Sequence, residues 1–102
     1  MAKQVIWSPE AEIDLTEILE FYFYKVFART YAKRLNEIFE KEIEQISHYP
    51  LIGVSCNSEN VRVKIVGHYQ IIYENTDEII YVLRIWDTRQ NENRLPIGLR
   101  KK

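Results

Sequence analysis

Val61-Arg62-Val63-Lys64-Ile65-Val66-Gly67-His68-Tyr69-Gln70-Ile71-Ile72-Tyr73 carries the period that decides the fold. Val61, Val63 and Ile65 alternate with Arg62 and Lys64, the pattern of a strand whose two faces meet different surroundings. Gly67-His68 leaves room only for a tight reversal, and the apolar run through Tyr73 returns beside the first strand. Asn75-Thr76-Asp77-Glu78 turns the chain again, and Ile79 to Trp86 supplies the longest strand. A three-stranded antiparallel meander is expected.

Upstream of the meander the period lengthens. Lys3 to Trp7 reads as a short strand, because Val5, Ile6 and Trp7 suit a pleated surface. Ser8 can cap a helix, Pro9 suits its first position and Glu10 complements its dipole. Ala11, Leu15, Ile18, Tyr22 and Val26 then recur at helical spacing, which predicts a helix of roughly 18 residues. A turn near Phe27 to Thr30 leads to a second stripe, Ala32, Leu35, Phe39, Ile43 and Ile46, which Pro50 stops. Leu51 to Asn60 is a polar loop. The order is β-α-α-β-β-β: an α+β domain over residues 1–102, with a helical hairpin packed on one face of an antiparallel sheet. The first strand must pair somewhere, and an edge of the meander is the place expected for it.

Apolar residues at 46% and charged residues at 28% are the proportions of an ordinary folded domain. Cys56 is alone, which excludes an intrachain disulfide and fits a reducing cytosol. The N-terminus lacks a signal-peptide core, and Ile79 to Leu83 is too short to span a bilayer. A cytoplasmic protein without membrane contact is expected. No glycine-rich phosphate loop, paired-cysteine motif or two-histidine helix occurs, so neither metal nor cofactor is expected.

Charge is segregated along the chain. Residues 9–49 hold nine acids against five bases, and residues 84–102 hold six bases against two acids. Arg62, Lys64 and Arg84 are expected on the sheet face away from the helices, with Arg89 just past its end and Tyr69 and Tyr73 nearby. Cations and rings so placed suit phosphate or nucleic-acid backbone, although the same cations could simply keep an exposed sheet face soluble. Phe21, Tyr22, Phe23, Tyr24 and Phe27 run round the end of the first helix, so some must be exposed or covered by a partner, a homodimer copy included.

Several segments together resemble the ParE/RelE toxin superfamily. They are Trp7-Ser8-Pro9-Glu10-Ala11-Glu12-Ile13-Asp14-Leu15, Tyr49-Pro50-Leu51-Ile52-Gly53, Val61-Arg62-Val63-Lys64, Gly67 to Tyr73, and Val82-Leu83-Arg84-Ile85-Trp86-Asp87-Thr88-Arg89-Gln90-Asn91. The resemblance implies a toxin silenced by a cognate antitoxin and aimed at either DNA gyrase or ribosome-bound mRNA, or else a degenerate member that only binds its antitoxin. Arg62, Lys64 and Arg89 match residues that RelE-like endoribonucleases use on RNA, with Tyr69 or Tyr73 left to supply a proton. Gln70 and Leu95 stand where such enzymes carry an arginine and a tyrosine. The Ser-Pro-Glu-Ala start, the Gly-His-Tyr turn and Arg84 in Val-Leu-Arg-Ile are more similar to the ParE branch, in which Arg84, Arg89, Arg94 and the basic C-terminal tail would contact a protein target.

Overall fold

Strand β1 (Gln4–Trp7) leads into helix α1 (Pro9–Glu20), a π-helical turn (Phe21–Lys25) and helix α2 (Arg29–His48). Strands β2 (Val54–Ser55), β3 (Val61–Val66), β4 (Tyr69–Asn75) and β5 (Ile79–Asp87) come next, then a short 3-10 turn (Ile97–Leu99). The structure is a computed structural model that describes residues 2–90 and 94–100.

The five strands form one sheet in the order β1-β5-β4-β3-β2. The meander is antiparallel as expected, but β1 lies parallel to β5, so the sheet is mixed. Gly67 has a φ of +59° at the first of the two turn residues, a conformation L side chains avoid, which explains glycine there. A register shift between Ile72 and Tyr73 leaves Leu83 as an extra residue in β5, because Val82 pairs with Tyr73 and Arg84 with Ile72.

Ser8 caps α1 through Oγ, which accepts from the Ala11 amide at 3.0 Å and donates to the Leu83 carbonyl at 2.8 Å. One side chain thus starts the helix and moors it to the bulged strand. The helical stripe then departs from expectation. At Phe21 the backbone widens to a π turn, closed by the Val26 amide on the Phe21 carbonyl at 3.1 Å. Each π turn adds a residue, so the residues beyond it rotate off the buried face. Val26, expected in the stripe, is 47% exposed. Phe27 is 83% exposed and holds a φ of 54°, a left-handed value that costs a non-glycine residue on the order of 1 kcal/mol. The chain reverses there into α2, whose Ala32, Leu35, Phe39, Ile43 and Ile46 are all buried.

The sheet has two covered faces. Ala11 and the α2 stripe meet Val66, Tyr69, Ile71, Tyr73, Ile80, Val82 and Ile85 in the larger core. On the opposite face Val61, Val63, Ile72 and Trp86 pack against Cys56, Leu95 and, partly, Leu99. The C-terminal strap therefore lies on a surface that sequence reasoning left to water or ligand. Its backbone is tied down, with the Asn57 amide on the Arg100 carbonyl at 3.3 Å and Arg100 Nε on the Leu95 carbonyl at 3.0 Å. Cover on both sides explains why Tyr69 to Tyr73 are buried without interruption.

Tyr73 shows how the loop after α2 is held. Its ring is buried, its hydroxyl donates to the Pro50 carbonyl at 2.7 Å and it accepts from the Gly53 amide at 3.0 Å. A Cβ on Gly53 would lie 2.7 Å from that hydroxyl and 2.8 Å from the Val63 carbonyl, so only glycine lets the loop approach so closely. Tyr73→Phe should cost about 2 kcal/mol, because a buried amide and a partly buried carbonyl lose their partner at once. Urea titration measures this, and an unchanged midpoint would show that water replaces the hydroxyl.

A candidate target-binding cleft at the end of the last strand

The cations expected to share one face do not. Strand parity puts Arg62 and Lys64 on the side of Val66, facing α2, while the apolar Val61 and Val63 face the strap. Lys64 Nζ lies 3.4 Å from Oε2 of Glu42 on α2. That oxygen is buried and makes no hydrogen bond, so the attraction is Coulombic alone. Arg62 donates through one nitrogen to the Gly53 carbonyl at 2.7 Å and the Leu51 carbonyl at 3.3 Å. Both cations hold up the fold where they stand.

Arg84 sits on the other parity, beside Trp86, with its guanidinium carbon 5.6 Å from that ring's centre. It reaches Asp14 on α1 with two nitrogens, at 2.7 and 3.0 Å, and Asp14 Oδ2 also accepts the Ile85 amide at 3.0 Å. Strand β1 stops pairing at Val82, so the Asp14 carboxylate caps the β5 edge where no strand remains to do so. The bidentate contact also raises the Arg84 pKa, against the opposing effect of burial.

Below this clamp, α1, the π turn and the end of β5 enclose a cleft of about 360 Å³. Tyr22, Tyr69, Trp86, Asp87 and Arg89 line it, with Asp14, Glu17 and Phe21 at its wall. Tyr69 packs edge-on to Phe39, ring centres 5.5 Å apart, and its hydroxyl donates to that of Tyr22 at 3.3 Å. Burial, then this hydrogen bond, pushes the Tyr69 hydroxyl well above the ordinary tyrosine range. Tyr22 moves the opposite way, because Tyr69 donates to it, with Arg89 adding to the effect. Arg89 grips Asp87 through Nε at 2.9 Å and a terminal nitrogen at 2.8 Å. This contact holds the Asp87 carboxyl below its usual range and raises the Arg89 guanidinium further. Thr88 fixes the corner by donating its amide and hydroxyl to the His68 carbonyl at 2.8 and 2.7 Å.

The residues matched to a ribonuclease are thus dispersed: Arg62 and Tyr73 at the loop after α2, Lys64 against α2, and Tyr69 with Arg89 in the cleft. Gln70 is buried opposite Trp86, and Leu95, where an enzyme of that type has tyrosine, is 2% exposed beneath the strap. Arg94 is exposed, with a 3.5 Å contact to the Gln90 side chain. Asn91, Lys101 and Lys102, named in the matching segments and the basic tail, lie outside the described residues. Sequence reasoning missed Asp14, Tyr22 and Asp87. Tyr22 was hidden inside an ordinary helical stripe, and nothing local tells an acid that clamps from an acid that solvates.

A sequence model of the ParE toxin of type II toxin–antitoxin systems, parDE, matches residues 5–92. The chain belongs to the ParE toxin family. No curated protein sequence gives a significant match. Among solved structures it is similar to a chain of the chromosomal ParDE toxin–antitoxin system from P. aeruginosa, at a TM-score of 0.69 and 18% identity, over 84% of this chain and 96% of that one. It is also similar to a chain of the RelBE2 toxin–antitoxin complex from Mycobacterium tuberculosis, at a TM-score of 0.54 and 18% identity, over 85% and 99% of the two chains. At such identities the structural likeness establishes a shared ParE/RelE-like fold. Among the described residues of this ParE-family chain, no helix is long and apolar enough to cross a membrane.

Proposed function

We propose that this chain is the toxin half of a type II pair that binds a protein target, DNA gyrase, and is neutralised by an antitoxin encoded beside it. The target meets the surface around Arg89 and Arg94, with Arg84 holding α1 and β5 in the geometry that presents Arg89. The cleft itself carries this reading. Phosphodiester cleavage needs a proton donor or acceptor poised near neutral pH beside charge stabilisation. Of the two tyrosines matched to a ribonuclease, Tyr69 beside Arg89 is shifted away from neutrality and Tyr73 is committed to backbone groups across the fold, while Tyr22 is shifted down as the acceptor of the Tyr69 hydroxyl. Arg89 is more than half exposed and held rigid by Asp87, which suits a contact residue at a protein surface.

The test is inducible expression with two readouts, plasmid supercoiling and primer extension on ribosome-bound mRNA. Growth arrest should accompany lost supercoiling with intact mRNA. Arg89→Ala should reduce toxicity at least about tenfold, the equivalent of one lost charged contact near 1.4 kcal/mol. Coexpression of the neighbouring reading frame should restore growth and raise the thermal midpoint by linkage. Cleavage of mRNA in the ribosomal A site with normal supercoiling would replace this reading by the endoribonuclease one.

A further inference from the structure

At the end of the sheet far from Arg89, three chain segments bring hydrogen-bond donors to one corner. Asn75 pairs with Ile80 at one end of β4, whereas Tyr69 pairs with Asp87 at the other. Ser55 of β2, Arg62 of β3 and Tyr73 of β4 stand side by side in register, so their side chains share one sheet face, and Asn75 follows Tyr73 on it. The loop 56–60 closes over this corner. The Val61 amide on the Ser58 carbonyl at 3.4 Å and the Asn75 amide on the Asn60 carbonyl at 2.9 Å hold it there. Asn60 makes the return with a φ of 64°, a value asparagine adopts more readily than most residues. Between loop and strands lies a recessed pocket of about 180 Å³.

Its lining is rich in donors that the fold leaves unused. Arg62 directs one terminal nitrogen to the Gly53 and Leu51 carbonyls, and its Nε and other terminal nitrogen meet no acceptor among the described residues. Asn75 gives its side-chain oxygen to Lys3 Nζ at 2.7 Å, which leaves the N–H donors of that carboxamide without a partner there. The hydroxyls of Ser55 and Ser58 line the same pocket and also make no hydrogen bond among the described residues. Glu59 is the one acid among the described lining residues, and it is exposed. Lys3 adds a second positive charge beside Asn75.

We propose that this pocket binds a phosphate group, either inorganic phosphate or the phosphate monoester of a nucleotide. Guanidinium, carboxamide and hydroxyl donors are the groups that recognise phosphate oxygens. A carboxylate is flat and is satisfied by one guanidinium fork. These donors come from three chain segments instead, which suits acceptor oxygens arrayed as a tetrahedron. The site is separate from the Arg89 surface and does not depend on which target the toxin has. It also bears on the strap. Asn57, in the same loop, donates its amide to the Arg100 carbonyl and its side chain to the Ile97 carbonyl, each at 3.3 Å. A phosphate held here ties that loop to β3 and β4 and so steadies the anchor of the strap.

The experiment titrates the full chain with sodium phosphate at constant ionic strength. It follows the NMR signals of Ser55, Ser58, Arg62 and Asn75, with the thermal midpoint in parallel. Saturable shifts centred on these residues are expected, with a midpoint that rises by linkage. Asn75→Asp is the decisive variant. It keeps the oxygen that holds Lys3, so circular dichroism should show an intact fold, yet it replaces a donor with a negative charge. Phosphate affinity should fall at least about tenfold. Ser55→Ala with Ser58→Ala removes two hydroxyls that no described residue uses and should weaken binding about threefold. Phosphate also stabilises proteins by exclusion from their surfaces, so an equal midpoint rise in wild type and Asn75→Asp would be that general effect and would overturn the site. Shifts that never saturate would overturn it as well. Acetate binding as tightly as phosphate would overturn the assignment to phosphate. Adenosine monophosphate separates the two sources: affinity equal to or tighter than that of inorganic phosphate assigns the monoester, and weaker binding assigns the free ion.

Discussion

Asp14→Ala should lower the unfolding free energy by about 3 kcal/mol, a drop of roughly 12–20 °C in thermal midpoint for a chain this size. Three donors converge on the Asp14 carboxylate, two from Arg84 and one from the Ile85 amide. Alanine leaves an edge amide and a guanidinium without their acceptor. The Arg84 side chain is 26% exposed, so water recovers part of the loss and the expected cost falls short of that for a fully buried pair. Asp14→Asn keeps an oxygen for Ile85 and gives up the charge, and about half the loss is expected. Arg84→Ala alone should cost less than Asp14→Ala, because the carboxylate still caps the strand edge. A double-mutant cycle over both positions should return a coupling of about 1–2 kcal/mol. Additive effects would mean that the ion pair is incidental and the edge cap alone matters. If Arg84→Ala also lowers toxicity at temperatures where the protein stays folded, the guanidinium supports Arg89 as well as the fold.

Leu95→Ala should be similarly costly, at about 3 kcal/mol, for a different reason. Leu95 is 2% exposed and seated among Cys56, Val61, Val63, Ile72 and Trp86. Truncation removes three carbons from that contact and leaves a void that the sheet cannot close, since its other face is packed against the helices. Leu95→Tyr is informative in the opposite sense. A ring forced into the site overfills it and should cost about 1–3 kcal/mol. Equilibrium denaturation measures both changes, and near-native stability for either would show that the strap does not belong to the core. An increase in mRNA cleavage with Leu95→Tyr would favour the endoribonuclease reading over target binding.

Much of this fold was legible in the chain. Helical spacing from Ala11 and from Ala32, the caps at Ser8 and Pro9, the stop at Pro50 and the alternation from Val61 each arise from local steric and solvation rules, so the first strand, the two helices and the meander emerged in order before any contact was known. The two-residue β2 within Leu51 to Asn60, read as a loop, did not. Membership in the ParE family was likewise written in segments whose order along the chain can be read directly.

What the chain could not disclose was which apolar face meets which cover. Alternation states that two faces of β3 differ, and it is silent on whether helices or a strap lie over the apolar one. The strap took it, which sent Arg62 and Lys64 toward α2 and dispersed the expected cationic surface. The bulge at Leu83 then put Arg84 and Trp86 on the face opposite Val82, and Arg84 reached an acid 70 positions earlier in the sequence. The π turn likewise broke a helical stripe that the spacing of Val26 would have continued, and it turned Phe27 outward. Periodicity is a property of neighbours along the chain, so the elements, their order and the family could be read from the residues alone. Pairing, parity across the sheet and the partners of each charge depend on residues far apart in sequence, and those were settled only when the chain closed on itself in three dimensions.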